Sequence, residues 1–200
     1  MLLTIGHSNH EMETFIGLLV KNSVTAVADV RSSPYSRYTP QYNREKIRAS
    51  LLKSGIAYTF LGKEFGARSD NPLCYKDGKV QYGLLSQQPV FFEGISRVDE
   101  GMQRYRIAFM CAEKDPIECH RALLVARAFF DRGTPVSHIH ADGSMETHAA
   151  FESRLLTHCK MPSGDMFKSK ADFILDAYLI QGNRVAYQDD EIHRNEVLAS

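Results

Sequence analysis

Short apolar runs alternate along this chain with segments of helical period, and that alternation decides its fold class. The runs are "LLTI" (Leu2 to Ile5), "VTAVADV" (Val24 to Val30), "IAYTF" (Ile56 to Phe60), "YRIAFMCA" (Tyr105 to Ala112) and "TPVSHIH" (Thr134 to His140). Each is short, rich in β-branched or aromatic residues, and closed by polar or turn-forming residues, as buried strands are. Between them, "EMETFIGLLVKN" sets Met12, Phe15, Ile16 and Leu19 at helical spacing. "NREKIRASLLKSG" sets Ile47, Leu51 and Leu52 on one face and ends on Gly55, a C-cap residue. "QPVFFEGISRVDEGM" and "CHRALLVARAFFDRG" read as two more helices. Strands that alternate with helices are joined by right-handed crossovers. The expectation is an α/β fold: a mainly parallel sheet with helices on both faces, Rossmann-like, in a single domain.

Two stretches interrupt the rhythm. Residues 62–83 carry Gly62, Gly66, Pro72, Gly78 and Gly83 and form a long irregular insertion, expected to border the ligand site through Lys63, Arg68 and Lys76. Past residue 160, "MPSGD" marks a boundary before the helical "SKADFILDAYLIQ" and the polar end "QDDEIHRNEVLAS". The chain therefore divides into an α/β body, 1–160, and a C-terminal helix with a polar tail, 161–200.

Charge and cysteine usage narrow the function. Lys plus Arg equals Asp plus Glu, 24 against 24, so wholesale attraction to nucleic acid or an anionic membrane is not expected. No run approaches the roughly 18 apolar residues of a membrane span. "MLLTIGHSNHEME" lacks the basic start of a signal peptide, so a cytoplasmic setting with reduced thiols is expected. Cys74, Cys111, Cys119 and Cys159 are spaced by 37, 8 and 40 residues, which matches no paired-cysteine metal motif. By ligand type alone, Cys111, Cys119, His120 and His7 could hold zinc, but no spacing demands it, and no metal is assigned.

In open α/β sheets, ligands bind where strands end at the carboxyl edge. Those ends hold Gly6, His7 and Ser8 after the first strand, and Asp29, Arg31, Ser32 and Ser33 after the second. The strand at 107 delivers Cys111, Glu113, Cys119, His120 and Arg121. Gly6 is expected to allow a sharp turn. Asp29 at the end of an apolar strand needs a partner, and Arg31 is the obvious one, so the two also make sense as a structural ion pair. Residues 31–53 add Arg37, Arg44, Lys46, Arg48 and Lys53 with Tyr35, Tyr38 and Tyr42 interleaved, a pattern suited to phosphates and stacked bases or to a solvated helix face. Asp115-Pro116 with Glu118 resembles a capping box, which would start a helix at 116 and hold Cys119 in its first turn, where a thiolate is favoured. Against that reading, Cys119, Leu123, Ala126 and Phe130 also form an apolar stripe.

The blocks "TIGHSNHEMETFIGLL", "VADVRSSPYSR", "LGKEFGAR" and "CAEKDPIECHRALLVA", in this order, resemble the DUF488 family of domains of unknown function. The resemblance runs over roughly residues 2 to 140. It implies a compact α/β domain and supplies no substrate or cofactor.

The leading expectation is an enzyme acting on a phosphate-bearing ligand, a nucleotide or nucleic acid. In it, Arg31 and Arg121 hold the anion with help from Ser8 and Gly6, and His7 or His120 moves protons. Glu113 or Asp29 orients them, and Cys119 attacks. The rivals are a non-catalytic nucleotide sensor or DNA-binding module, and a redox or metal-responsive protein using Cys111 and Cys119.

Overall fold

Alternation along each strand divides its side chains between two apolar layers, and helices cover both. The computed structural model describes residues 1–162 and 168–192. In chain order the body opens with β1 (Leu2–Gly6), α1 (Met12–Lys21), β2 (Ala26–Asp29), α2 (Arg44–Lys53) and β3 (Ala57–Phe60). The insertion follows as α3 (Gly62–Phe65), the hairpin β4 (Tyr75–Lys76) and β5 (Lys79–Val80), and α4 (Tyr82–Leu85). Then come α5 (Pro89–Met102), β6 (Ile107–Cys111), α6 (Arg127–Phe130), β7 (Val136–Ile139), β8 (Met145–Thr147), α7 (His148–His158) and α8 (Lys170–Val185). The α/β architecture with a mainly parallel sheet is as expected.

The sheet runs β3-β2-β6-β1-β7-β8, with the first five strands parallel and β8 antiparallel at one edge. β6, distant in sequence, lies between β1 and β2, in register Gly6 with Cys111 and Asp29 with Met110. This order brings the carboxyl ends of β1, β2 and β6 side by side. On one face Leu3, Ile5, Val27 and Met110 meet Phe15 and Leu19 of α1 and Ile47 and Leu51 of α2. On the other, Ala28, Phe109 and Val136 meet Phe65, Phe91 and Phe129, whose rings pack edge to face. Gly55, at φ 72°, closes α2.

Three local features depart from the sequence reading. Residues 141–160, which carry no strong period, fold into the edge strand β8 and the helix α7. The helix expected to start at 116 is broken. Asp115 caps only a 3-10 turn, Pro116–Glu118, accepting from Ile117 N at 2.9 Å. Cys119 is extended (φ −141°, ψ 133°), and the chain then enters a π-helical turn, Arg121–Ala126, that runs into α6. A stripe of apolar residues fits α and π turns alike, so the sequence pattern could not separate them. Cys119 thus precedes the helical segment, and its carbonyl accepts from Ala122 N and Leu123 N at 3.1 Å each.

α8 starts on a Ser169–Asp172 capping box and packs Ala177 and Tyr178 against Phe151 and Leu155 of α7. Beyond it the chain returns to the insertion: Val80 N donates to Tyr187 O at 3.0 Å and Asp189 N to Gly78 O at 2.8 Å. Residues 163–165 of the "MPSGD" boundary and 193–200 of the polar end lie outside the described residues. No helix among the described residues is long and apolar enough to cross a membrane.

Candidate functional site

Past Gly6 the first strand keeps company with the sixth. His7 N donates to Cys111 O at 2.8 Å and Ser8 N to Ala112 O at 2.9 Å. A Cβ on Gly6 would stand 1.8 Å from the Glu113 carbonyl oxygen and 3.2 Å from an Arg121 nitrogen, so glycine is needed here for close approach. The sharp turn expected at Gly6 falls instead on Ser8, at φ 47°. Ser8 bonds to Asn9 and is not among the residues that line the cleft described below.

Asp29, fully buried, and Arg31 form a two-pronged ion pair: Arg31 Nε to Oδ1 at 2.9 Å and NH2 to Oδ2 at 2.6 Å. Tyr58 OH also donates to Asp29 Oδ2, at 2.8 Å. NH2 of Arg31 donates further to Tyr42 O, and NH1 reaches His7 Nε2 at 3.1 Å. Because Arg31 donates at Nε2, the proton of His7 sits on Nδ1, which bonds to Ser8 O at 2.8 Å. Burial, reinforced by the Arg31 charge, lowers His7 to about 4, and its ring stacks on buried Tyr42 at 4.1 Å. This group is an internal brace. Of its members only Arg31 lines the cleft described below.

Arg121, expected to clamp an anion, is fully buried. Its NH1 donates to Glu113 O at 2.6 Å and its NH2 to Lys114 O at 3.2 Å, so it shapes the loop after β6. Its position below that loop keeps it off the cleft surface.

The thiols form the reactive-looking cluster. The donor atoms of Cys111, Cys119 and His120 all lie within 4.8 Å of one another, with Cys111 Sγ 3.8 Å from His120 Nδ1. His120 Nε2 faces Val30 O at 2.9 Å, and a carbonyl can only accept, so Nε2 carries a proton. Cys119 Sγ accepts from Arg121 N at 3.4 Å and is hydrogen-bonded to Glu113 Oε2 at 2.8 Å. Burial alone would raise the Cys119 thiol, but the Cys111 hydrogen bond and the positive charges of Arg121 and His120 bring it well below the ordinary thiol value. Cys111 moves the other way, pushed up by burial and by the neighbouring Cys119. Glu113 is raised by burial of its carboxyl and by the Cys119 charge, although the rest of the residue is exposed. For His120, burial acts downward and Cys119 outweighs it, leaving the imidazole raised. The cluster therefore concentrates negative charge on Cys119 and a proton on the Cys119–Glu113 contact.

Above it lies a cleft of about 300 Å³. Cys111 and His120 are on its floor, Arg31, Ser32 and Ser33 on one side, and Arg68, Tyr82 and Tyr187 on the other. Arg68 is exposed and stacks its guanidinium 4.4 Å above the Tyr187 ring. A second recess of about 720 Å³ shares Ser32, Ser33 and Arg68 with the cleft and adds Lys63. The insertion thus borders the site. Tyr82, Val185 and Tyr187 carry no chemical signature in sequence and reach the site only through tertiary packing. The exposed cations of α2, Arg44, Lys46 and Arg48, stand apart from the cleft.

A second buried polar group went unread in the sequence. His138 on β7 and His148 at the start of α7 join Thr4 and Tyr178 in a chain: Thr4 Oγ1 to His138 Nδ1 at 2.8 Å, His138 Nε2 to His148 Nδ1 at 3.0 Å, His148 Nε2 to Tyr178 OH at 2.8 Å. Tyr178 OH donates onward to Glu152 at 3.2 Å, which orders the chain: each hydroxyl or Nε2–H donates to the next member. Both histidines are held neutral, with burial bringing His148 to about 4 and His138 well below its ordinary value.

A family model described as "Domain of unknown function DUF488" matches residues 11–128. The chain belongs to the DUF488 family. No curated protein and no solved structure matches it. The DUF488 range takes in Asp29, Arg31, Cys111, Glu113 and the Cys119–Arg121 turn. Gly6 to Ser8 lie before it, and Val185 and Tyr187 beyond it.

Proposed function

We propose that this DUF488 protein is a cytoplasmic enzyme acting on a phosphate-bearing ligand, a nucleotide or a nucleic-acid end. The observation that carries the reading is the meeting of two kinds of group in one cleft. Cys111 and His120, the members of a buried, charge-polarised thiol cluster that reach the cleft floor, meet Arg31, Arg68, Ser32 and Ser33 there. Arginine and hydroxyl donors suit phosphate oxygens, and the aromatic faces of Tyr82 and Tyr187 suit a base. The adjoining recess gives room for more of the ligand than its phosphate.

In this reading Arg68 replaces Arg121 as the second anion contact, because only Arg68 reaches the cleft. Glu113 moves protons, His120 is held by Val30 O beside the sulfurs, and Cys119 is the electron-rich centre beneath the floor. Asp29 and His7 act at one remove by fixing Arg31. A purely sensory protein needs the anion contacts but not a thiol, imidazole and carboxylate gathered at the floor of the same cleft.

The test is ligand protection. A panel of inorganic phosphate, mononucleotides and short oligonucleotides is titrated while thermal stability and iodoacetamide labelling of Cys111 are followed. The expected result is stabilisation and slowed labelling by at least one phosphate compound, with Arg68→Ala weakening binding about tenfold or more. Protection that is unchanged in Arg68→Ala, or absent with every compound, would overturn the reading.

A further inference from the structure

Three soft or borderline donors converge on one point at the cleft floor: Cys111 Sγ, Cys119 Sγ and His120 Nδ1, all within 4.8 Å of one another. Tetrahedral zinc with bonds of roughly 2.0–2.3 Å needs donors about 3.5–3.8 Å apart. The Cys111–His120 separation, 3.8 Å, already meets that, and the others require closure of at most about 1 Å, within the reach of a cysteine χ1 adjustment. The imidazole is oriented for it. Val30 O holds the proton on Nε2, so Nδ1 is the nitrogen turned toward the sulfurs, the usual arrangement of a metal-binding histidine braced by a carbonyl. By contrast, Cys159, in the smaller core cluster of α7 and α8, bonds to the Ala177 carbonyl at 3.6 Å, as an ordinary core thiol does.

We infer that Cys111, Cys119 and His120 hold a single Zn²⁺ ion whose fourth position opens on the cleft. Two thiolates and one neutral imidazole balance the charge of the ion, so the loaded site is neutral where the floor is most buried. Binding releases the proton of Cys111 and any proton on His120 Nδ1 to solvent. His7, a fourth donor by ligand type, is not part of the set, because its Nε2 faces the Arg31 guanidinium. Glu113, which lines the same cleft, keeps its proton on the contact with Cys119 Sγ and so braces that thiolate as a hydrogen-bond donor. Three protein ligands with an open fourth position is the pattern of reactive rather than structural zinc. That the open position serves a phosphate-bearing ligand rests on the function proposed above; the metal site itself does not.

The experiment uses the full-length protein, reduced and freed of metal by chelation, titrated first with Co²⁺ and then with Zn²⁺. One Co²⁺ per chain is expected, with the thiolate-to-cobalt charge-transfer and visible bands of a tetrahedral sulfur site, displaced by Zn²⁺. Cys119→Ser and His120→Ala are each expected to weaken Zn²⁺ binding at least a hundredfold, whereas Cys74→Ser leaves it unchanged. A second readout needs no variant: titrating the zinc-loaded protein with a mercurial should release one zinc per two thiols blocked. A cobalt spectrum without charge transfer, release unrelated to thiol blocking, or undiminished binding in Cys119→Ser would overturn the site. If metal binding fails while phosphate compounds still protect Cys111, only the zinc inference falls. If zinc binds and no phosphate compound does, only the functional reading falls.

Discussion

The protein buries two histidine-centred polar groups, and they are finished differently. In the Thr4–His138–His148–Tyr178 chain every polar atom is answered by the next, the donors run in one direction, and the series stops on Glu152. The chain ties the sheet to α7 and α8, and none of its members lines the thiol cleft. In the Cys111–Cys119–His120 cluster the donors are concentrated at one point, and two of the three reach the cleft. Burial perturbs the titration of both groups. A perturbed group is therefore a poor sign of reactivity by itself; what separates the two is whether the hydrogen-bond series closes inside the protein or ends at a surface where something else can bind.

If the contrast is right, the two groups should fail in different currencies. The largest effect on folding is expected from His138→Ala, which opens a cavity and strands Thr4 and His148. It should cost about 3–5 kcal/mol in urea unfolding, against about 1–2 for His120→Ala. Equal losses in the two variants would erase the distinction.

Acid should find the histidine chain next. His148 is neutral in the fold down to about 4, while an unfolded histidine takes its proton near 6.5. Between those values the unfolded state holds more protons, so stability is full above pH 6.5 and falls as pH drops toward 4. The slope is about 1.4 kcal/mol per pH unit, or roughly 3 kcal/mol in all. His7 contributes in the same window, so the difference between the wild type and His148→Gln isolates the chain. A pH profile identical in both would show that His148 is not held neutral.

A smaller loss, about 1–3 kcal/mol, is expected for Tyr178→Phe, which leaves the His148 Nε2–H without an acceptor. Denaturant midpoints measure it directly. Smallest of all should be Cys119→Ser, below about 1 kcal/mol, since a hydroxyl occupies nearly the same space and can bond to Glu113. A large stability loss there would make Cys119 a packing residue and move it to the other side of the comparison.

Much of this arrangement could be read from the sequence, for reasons of range. The five parallel strands announce themselves as apolar runs, and their carboxyl ends collect Gly6, Asp29, Arg31, Cys111 and Glu113 by topology alone. Asp29–Arg31 was open to a structural reading, and its hydrogen bonds favour that one. Arg121 misleads because a charged side chain suggests a surface, whereas here two backbone carbonyls and the space under Gly6 accommodate it. The His138–His148 contact is invisible because its members sit in elements that meet only after folding, one of them in a stretch with no strong period. The break at Cys119 escaped notice for a subtler reason: capping residues mark where a helix can start, and Asp115 starts only a single turn.

The C-terminal wall of the cleft has a consequence for how the protein can change. The floor is set by adjacent strands in fixed register, so moving any part of it disturbs the whole sheet. Tyr187 hangs instead on a bridge between Gln188 and Lys79 and on one hydrogen bond from Val80. A chain ending at residue 184 would keep every reactive group and lose the aromatic surface that Arg68 stacks on. In the function proposed above, selectivity and chemistry would fall to separately adjustable parts, and a new ligand could be accommodated by recutting the C-terminal wall alone.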